Sequence, residues 1–553
     1  MTTLTGSGVG RGIAVGPVLR MPDPMPEPAS TPSTIGPDGE KQRVTNAIAS
    51  AAEDIRARGE RAGGKAQEVL EAQALMADDP TLRSDIDVRI DNGATAERAV
   101  FEAFAAFREM LLGIGGYFGE RATDLDDVSQ RVIARLAGVA APGVPDSEVP
   151  FVLVARDLAP ADTALLDLEK VLAVVTSEGG PTSHTAILAR DKALTAVVGV
   201  DGALALADGV LVIVDAAAGS VIADPSENEQ ASAGAEREAR AKRADVPIQP
   251  GALADGTPVP LLANLGSVDG IDAAVAAGAE GVGLFRTEFL FLDATEAPSV
   301  AAQYGHYSKL LRGFAGKKVV VRVLDAGADK PLSFLTEAHE ENPALGLRGL
   351  RVLRVKEQIL RDQLTALARA GAESDADLWV MAPMVATVEE TRYFVAIAHE
   401  LGIKTAGVMV EVPSSALLAG RVLDVAAFAS IGTNDLTQYT MAADRLLGSV
   451  SSLQDPWHPA VLRLVREVGR AGAAHGKSVG ICGEAAADPL LAVVLVGLGA
   501  TTLSMSPAAI GDVRAELLQH TREQAVALAA AAVDAEDGKS AREAVRALIS
   551  GAV

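Results

Sequence analysis

VPLLANLG (259–266), GVGLFRTEFL (281–290), VVVRVLDAG (319–327), LWVMAPMV (378–385), AGVMVEVP (406–413), AFASIGTND (427–435), VGICGEA (479–485) and TTLSMSP (501–507) are eight apolar runs spread through the second half of the chain. Longer stretches with apolar residues at three- and four-residue spacing separate them, so residues 259–553 read as eight strand–helix units. Eight such units fit a (β/α)8 barrel, a fold of ~250 residues.

In such barrels the chemistry sits at the C-terminal ends of the strands. Arg286, Asp325, Glu411, Asn434, Asp435 and Cys482 fall at or just past those ends. Arg286, Arg322 and Arg445 can offer forked donors to a phosphate and a carboxylate. Glu411 and Asp435, on neighbouring strands, offer hard oxygens to Mg²⁺, which takes one or two carboxylates plus substrate oxygens. Asn434 can donate its amide to a phosphate oxygen. Any one of these alone is usually a salt bridge or a solvated tip; their shared rim points to an anion site. Cys482, between Ile481 and Gly483, carries two readings. It is a small buried hydrophobe or, at the mouth of the seventh strand, a thiol able to protonate an enolate at carbon.

Upstream, residues 1–22 and 150–222 hold short apolar strands and turns, whereas 38–140 are helical in pattern, as in AVFEAFAAFREMLLGI. The expected organisation is an α/β domain from 1–22 plus 141–225, interrupted by a helical domain at 23–140. A linker helix at 226–248 leads to the barrel at 249–553. Within the α/β domain lies GGPTSHTAILAR (179–190), which holds His184, the only histidine in the first 305 residues. Gly179 and Gly180 allow a tight turn, and Thr182 and Ser183 are natural helix-start residues. That places the imidazole by free backbone N–H groups at the positive end of a helix, a spot suited to a phosphoryl group. A neutral imidazole is also a competent nucleophile near pH 7. The bland alternative is a helix cap with an incidental histidine.

Composition narrows the class. The 553 residues call for two to four domains. A net charge of −24 argues against nucleic-acid binding, and the longest apolar runs are too short to span a membrane. The N-terminus lacks a signal-peptide pattern, and a single cysteine excludes an internal disulfide, so a cytoplasmic location is expected. GSGVGRG (6–12) is glycine-rich but lacks dinucleotide-binding spacing, and no G-x-x-x-x-G-K-[ST] loop is present.

The segments GGPTSHTAILAR (179–190), GVGLFRTEFLF (281–291), VRVLDAGADKP (321–331), ENPALGLRGLR (341–351), VMVEVP (408–413), SIGTNDLTQYTMAADR (430–445) and CGEAAADP (482–489) carry a resemblance over essentially the whole length. In kind and order they resemble Enzyme I of the bacterial sugar phosphotransferase system, the phosphoenolpyruvate–protein phosphotransferases. The resemblance implies a swivelling phosphohistidine α/β domain, an inserted all-α domain docking the phosphocarrier protein HPr, and a C-terminal TIM barrel that dimerises. It implies that phosphoenolpyruvate phosphorylates His184, releasing pyruvate, and that His184 passes the group to HPr in the first step of sugar uptake. Arg286, Arg322, Asn434, Asp435 and Arg445 would bind phosphoenolpyruvate, with Arg348 and Lys330 in secondary electrostatic roles. Glu411 and Asp435 would hold Mg²⁺, Cys482 would protonate the enolate, and Thr163 would lie near the histidine. The acidic stretches DDPTLRSDID (78–87) and TDLDDVSQ (123–130) would face a basic HPr surface. Pro181 and the GEAAADP wording depart from the commoner family pattern without removing a reacting group. No sensory segment precedes residue 1, which points away from the nitrogen-regulatory variant. Two rivals are a dikinase, which needs a further nucleotide-binding domain, and a regulatory protein that binds without transfer.

Overall fold

The computed structural model describes the chain except residues 1, 11, 23–24, 63, 115–121, 140, 142, 146, 159–165, 181–182, 184, 187–188, 190–193, 217, 245–247, 292–293, 295, 327–331, 333, 336–339, 446 and 552–553. The chain packs into two units, residues 1–237 and 238–553.

The first unit contains an eight-stranded sheet: β1 (Thr2–Thr5), β2 (Ser7–Val9), β3 (Ile13–Arg20), β4 (Phe151–Ala155), β5 (Val171–Thr176), β6 (Thr195–Val198), β7 (Leu211–Asp215) and β8 (Ser220–Ala223). Their order is β1-β8-β7-β3-β4-β5-β6-β2. β3 to β6 run parallel, and antiparallel partners flank them on both sides. Strand β4 shows why. Val152 and Val154 enter one apolar cluster and Phe151, Leu153 and Ala155 the other, so the centre of the sheet is covered on both faces.

Among the described residues between β3 and β4 come the helices α1 (Pro37–Ala62), α2 (Gly64–Ala77), α3 (Pro80–Asp91), α4 (Ala96–Ile114) and α5 (Ala122–Ala137). Val44, Ala47, Ile48, Ala51, Ala52 and Ile55 form one helical stripe on α1 and meet Leu82, Ile86, Ile90, Phe104, Val128 and Val132 in a separate core. Asp79 caps α3, its carboxylate accepting from the backbone N–H groups of Thr81 and Leu82 at 2.8 and 3.1 Å. The polar run after β8 forms the helix α6 (Glu227–Ala244).

The second unit is a closed barrel of parallel strands: β9 (Leu261–Leu265), β10 (Gly281–Arg286), β11 (Lys318–Arg322), β12 (Asp377–Ala382), β13 (Thr405–Val410), β14 (Ala429–Ile431), β15 (Val479–Ile481) and β16 (Thr502–Met505). All eight apolar runs of the sequence became barrel strands. Outward residues such as Val319, Val321, Val380, Val408, Ile431 and Leu503 pack into the large core shared with the helices. Leu284, Val320, Met381, Met409, Phe428 and Cys482 form a separate interior cluster. Because side chains alternate, the next inward positions after Val320 and Met409 are Arg322 and Glu411, and Cys482 follows Gly480. The alternation that fills the barrel therefore also aims three candidate residues into its C-terminal mouth.

Close helix packing supports this unit. Gly497, at the end of the helix Pro489–Gly497, abuts the helix Arg522–Asp534, and a Cβ there would lie 2.0 Å from the Ala525 carbonyl oxygen. A backbone atom cannot swing aside, so Gly497→Ala should cost about 2 kcal/mol, read as a lower calorimetric unfolding temperature.

Candidate active site

β10 ends in Arg286, and a 3-10 turn (Glu288–Leu290) follows it. The turn is fixed by Thr287, whose hydroxyl donates to the Arg322 carbonyl at 3.0 Å. Glu288 is thereby buried against β11, where its Oε1 accepts from Arg322 Nη2 at 2.8 Å and from the Asp325 backbone N–H at 3.0 Å. Asp325 Oδ2 takes Arg322 Nη1 at 3.1 Å and Arg348 Nη2 at 3.0 Å. Arg348 reaches on to Asp435 Oδ1 at 3.0 Å, and Arg445 stands 3.5 Å from Asp435 Oδ2. Carboxylates and guanidinium groups thus alternate across the mouths of β10, β11 and β14.

The electrostatics are uneven. Burial works against the charge on Arg322, but Glu288 and Asp325 outweigh it and hold the guanidinium protonated; Arg348 is held likewise by Asp325 and Asp435. Asp325 sits below its ordinary value, because Arg322 and Arg348 overcome the effect of burial. Arg286 goes the other way. Burial and the neighbouring charge of Arg322 push it down, with Glu288 and Glu484 only partly opposing. Two guanidinium groups that disfavour each other in a desolvated mouth make a receptor for an anion.

Glu411, just past β13, is 1% exposed and accepts the Met384 backbone N–H on Oε1 at 2.6 Å. Met384 makes this bond from a left-handed backbone, φ +56°. Gly349 packs against it with φ +55°, where a Cβ would come within 2.8 Å of Met384 Cβ and 3.0 Å of Asp325 Oδ1. Burial, then the charges of Asp435 and Asp325, push the Glu411 carboxyl up to about 8. A carboxylate that crowds other carboxylates in a buried site calls for a cation. Two hard oxygen donors, Glu411 just past β13 and Asp435 in the helix that follows β14, fit Mg²⁺, an ion that keeps several waters. Among the described residues no cluster of three or more metal-ligating side chains is present.

Asn434 and Asp435 stand in the first turn of the helix Thr433–Met441. Asn434 Oδ1 accepts the Glu484 N–H at 3.0 Å, an arrangement that turns its amide nitrogen away from that contact. Cys482 is 2% exposed, and its thiol donates to the Ile431 carbonyl at 3.5 Å. Burial raises the thiol to about 11, against a hydrogen bond from Ser430 that lowers it. Both readings of this cysteine meet here: it packs among apolar neighbours, and it stays protonated as an acid must.

The barrel thus brings together Arg286, Arg322, Arg348, Glu411, Asn434, Asp435, Arg445 and Cys482. His184, Lys330 and Thr163 lie outside the described residues. Beside His184, Ser183 Oγ accepts the Ala186 N–H at 3.3 Å, and Thr185, Ala186 and Ala189 are helical. Thr185 is anchored to Asp157 at 2.8 Å. Sequence reasoning missed Glu288 and Met384. Glu288 was signalled only by lying two residues past Arg286; nothing in the sequence marks a backbone N–H.

Three family models match: "PEP-utilising enzyme, N-terminal" over 5–121, "PEP-utilising enzyme, mobile domain" over 148–219, and "PEP-utilising enzyme, PEP-binding domain" over 240–522. The chain is 53% identical over 553 residues, all of both chains, to a protein of Streptomyces coelicolor named phosphoenolpyruvate-protein phosphotransferase. The chain belongs to that family. A protein of the same name from Haloferax volcanii is 42% identical over 479 residues, 83% of each chain. A solved structure described as "NMR solution structure of Enzyme I (nEIt) protein using two 4D-spectra" is 32% identical, covering 43% of this chain and 99% of that one, with TM-score 0.38.

For a member of this phosphotransferase family, Glu411 has a measurable signature. Its folded value lies above its unfolded one, so from about pH 4.5 to about 8 the unfolded chain ionises first and folding loses stability as pH rises. Glu411→Gln keeps an acceptor for the Met384 N–H and removes that loss. Its unfolding temperature should exceed the parent's by about 3–5 °C at pH 8, and by less at pH 5.5.

Proposed function

We propose that this chain is a phosphotransferase that takes a phosphoryl group from phosphoenolpyruvate onto His184, releases pyruvate, and passes the group to a histidine of HPr. This is the first step of sugar uptake by the phosphotransferase system. The observation that carries the reading is the Arg286–Arg322 pair at the mouth of a barrel in a chain aligned end to end with phosphoenolpyruvate-protein phosphotransferases.

Arg286, Arg322 and Arg445, with the Asn434 amide, bind the phosphate and carboxylate of the substrate. Glu411 and Asp435 would hold Mg²⁺, which would supply positive charge to offset the anionic groups of the substrate. The arginines stabilise the phosphoryl group as it passes in line to the His184 imidazole. Cys482 then gives its proton to the methylene carbon of the enolate, and pyruvate leaves. Arg348 acts as a positioning residue, since it grips both Asp325 and Asp435, and Lys330 adds electrostatic support. The α/β domain of 1–22 and 141–225 swings towards the barrel of 249–553 to receive the group and away to deliver it, with 226–248 as linker.

The helical insertion, 23–140, docks HPr. Leu75, Val88 and Met110 are exposed there, and a groove of about 460 Å³ lies between α1 and the start of α3. The barrel forms a homodimer. Leu345 and Leu417, 64% and 69% exposed, lie on segments leaving the C-terminal ends of β11 and β13. The cytoplasmic reading accords with a free, buried Cys482 and with described helices none of which is long and apolar enough to cross a membrane.

Incubation with phosphoenolpyruvate and Mg²⁺, then intact mass and alkaline phosphosite mapping, should give one phosphoryl group on His184. His184→Ala should lose it, and HPr should discharge it. Substrate binding with no mass gain sinks the transferase reading. Cys482→Ala should phosphorylate His184 in the first turnover, yet form pyruvate about a hundredfold more slowly.

A further inference from the structure

The barrel interior is two-sided. Towards β10–β13 it is lined by Leu284, Val320, Met381 and Met409, whereas towards β14–β16 the hydroxyls of Ser430, Thr502 and Ser504 also face it. Ser504 Oγ donates to Asn264 Oδ1 at 2.6 Å, and Asn264 Nδ2 donates to the Cys482 carbonyl at 3.0 Å. Ser430 bonds the Cys482 thiol from below. Beneath it lies a small, partly open space of about 10 Å³, lined by Ser430, Thr502, Ser504 and Lys318 and by apolar residues such as Leu262 and Phe428. That is close to the volume that holds one water, and the lining supplies several polar partners. Gly480 keeps the space open: a Cβ there would sit 2.9 Å from Thr502 Oγ1 and 3.7 Å from Ser430 Oγ.

At the N-terminal end of this column stands Lys318, the first inward residue of β11. Its ammonium lies 3.4 Å from the centroid of the Trp379 ring and 5.8 Å from that of Phe428, a cation–π seat inside a barrel. Lys318 is half-buried and so also reaches solvent at that end. Buried hydroxyls and an ammonium are costly in a core that apolar residues could fill. The proposed transfer to His184 gives them no task at the barrel mouth.

We propose that Lys318, a water in the interior space and Ser430 form a proton path that refills the Cys482 thiol from the N-terminal end of the barrel. This rests on the reading of Cys482 as the acid that protonates the enolate. There the S–H bond breaks, its electron pair stays on sulfur, and a C–H bond forms at the methylene carbon. Ser430 gives its hydroxyl proton to the thiolate and takes one from the water. The water takes one from the Lys318 ammonium, and Lys318 recovers one from solvent. One solvent proton thus ends in the methyl group of pyruvate.

Two facts of charge support the direction of flow. Burial lowers Lys318 to about 8, with Asp377 opposing, whereas the thiol, facing Glu411, Arg322 and Arg286, lies near 11. A thiolate left after turnover is therefore the stronger base, and protons run from lysine to sulfur.

The test compares wild type, Lys318→Met and Ser430→Ala, supplied with phosphoenolpyruvate, Mg²⁺ and HPr as acceptor. Each variant should show the wild-type burst of phosphohistidine, because the first proton is already on sulfur. Later pyruvate formation should fall about tenfold in kcat with KM unchanged. The wild-type rate should decline as pH rises through about 8, and Lys318→Met should lack that limb. Cys482 is the only cysteine, so thiolate ultraviolet absorbance during turnover reports its charge directly, and thiolate should accumulate in both variants. Wild-type kcat and pH profile in both variants, with no thiolate, overturn the path and leave refilling from the barrel mouth. A wild type with no phosphohistidine burst fails the transferase reading instead. A variant that shows no burst is misfolded, and the other then decides.

Discussion

Arg322 held between Glu288 and Asp325 is the contact on which the rest of the barrel mouth depends. Removing a guanidinium and two carboxylates from water costs several kcal/mol per ion, and well-packed apolar residues would hold β10 to β11 at least as firmly. The lattice is retained for what it arranges. Glu288 ties the turn after β10 to the Asp325 backbone, Asp325 passes the constraint to Arg348, and Arg348 passes it to Asp435. Asp435, at the end of the chain of contacts, is shared between Arg348 within the lattice and Arg445 beyond it. The outer groups, Arg286, Glu411 and Arg445, are thereby set without being locked into pairs as tight as those beneath them.

The barrel was legible because its signal is local and repeated. β10, β11 and β13 each end in a charged residue two positions beyond an inward apolar one, Arg286 after Leu284, Arg322 after Val320 and Glu411 after Met409, and a period of two carries over into three dimensions without further information. Arg322, Glu411 and Cys482 could be named on that ground. Glu288, Arg348 and Met384 could not be assigned by the same logic. Glu288 matters because a 3-10 turn folds it back onto β11, and Arg348 reaches the site from a loop that ends at a left-handed glycine. Met384 contributes a backbone N–H, a group every non-proline residue has. Such roles come from long-range closure of the barrel, and composition or spacing carries no trace of it.

The helical insertion shows the converse, a local signal that overstates. DDPTLRSDID and TDLDDVSQ look like free acidic faces in a linear reading. Folded, Asp79 caps α3, Asp78 pairs with Arg83 and Asp85 with Arg89, while Asp126 and Asp127 meet Arg108 and Arg131. Two of these pairs, Asp85–Arg89 and Asp127–Arg131, are four residues apart on one helix, where each supports the helix by a few tenths of a kcal/mol. What such a surface offers a partner is exposed apolar residues such as Leu75 and Val88 among paired charges, and less net acidity than the sequence suggests.

The same distinction between paired and unpaired charge orders events at the barrel mouth. Arg322 and Arg348 have their carboxylates already; Arg286 is short of negative charge and Glu411 is short of positive charge. A ligand that brought an anion alone would relieve Arg286 but crowd Glu411 and Asp435 further. A cation alone would relieve Glu411 and leave Arg286 disfavoured. Only the two together satisfy both groups, so anion and cation binding must favour each other, and by linkage each must tighten the other equally. The strand-end lattice would thus make an anion and a cation a single ligand in energetic terms, a property that no one residue of the rim possesses.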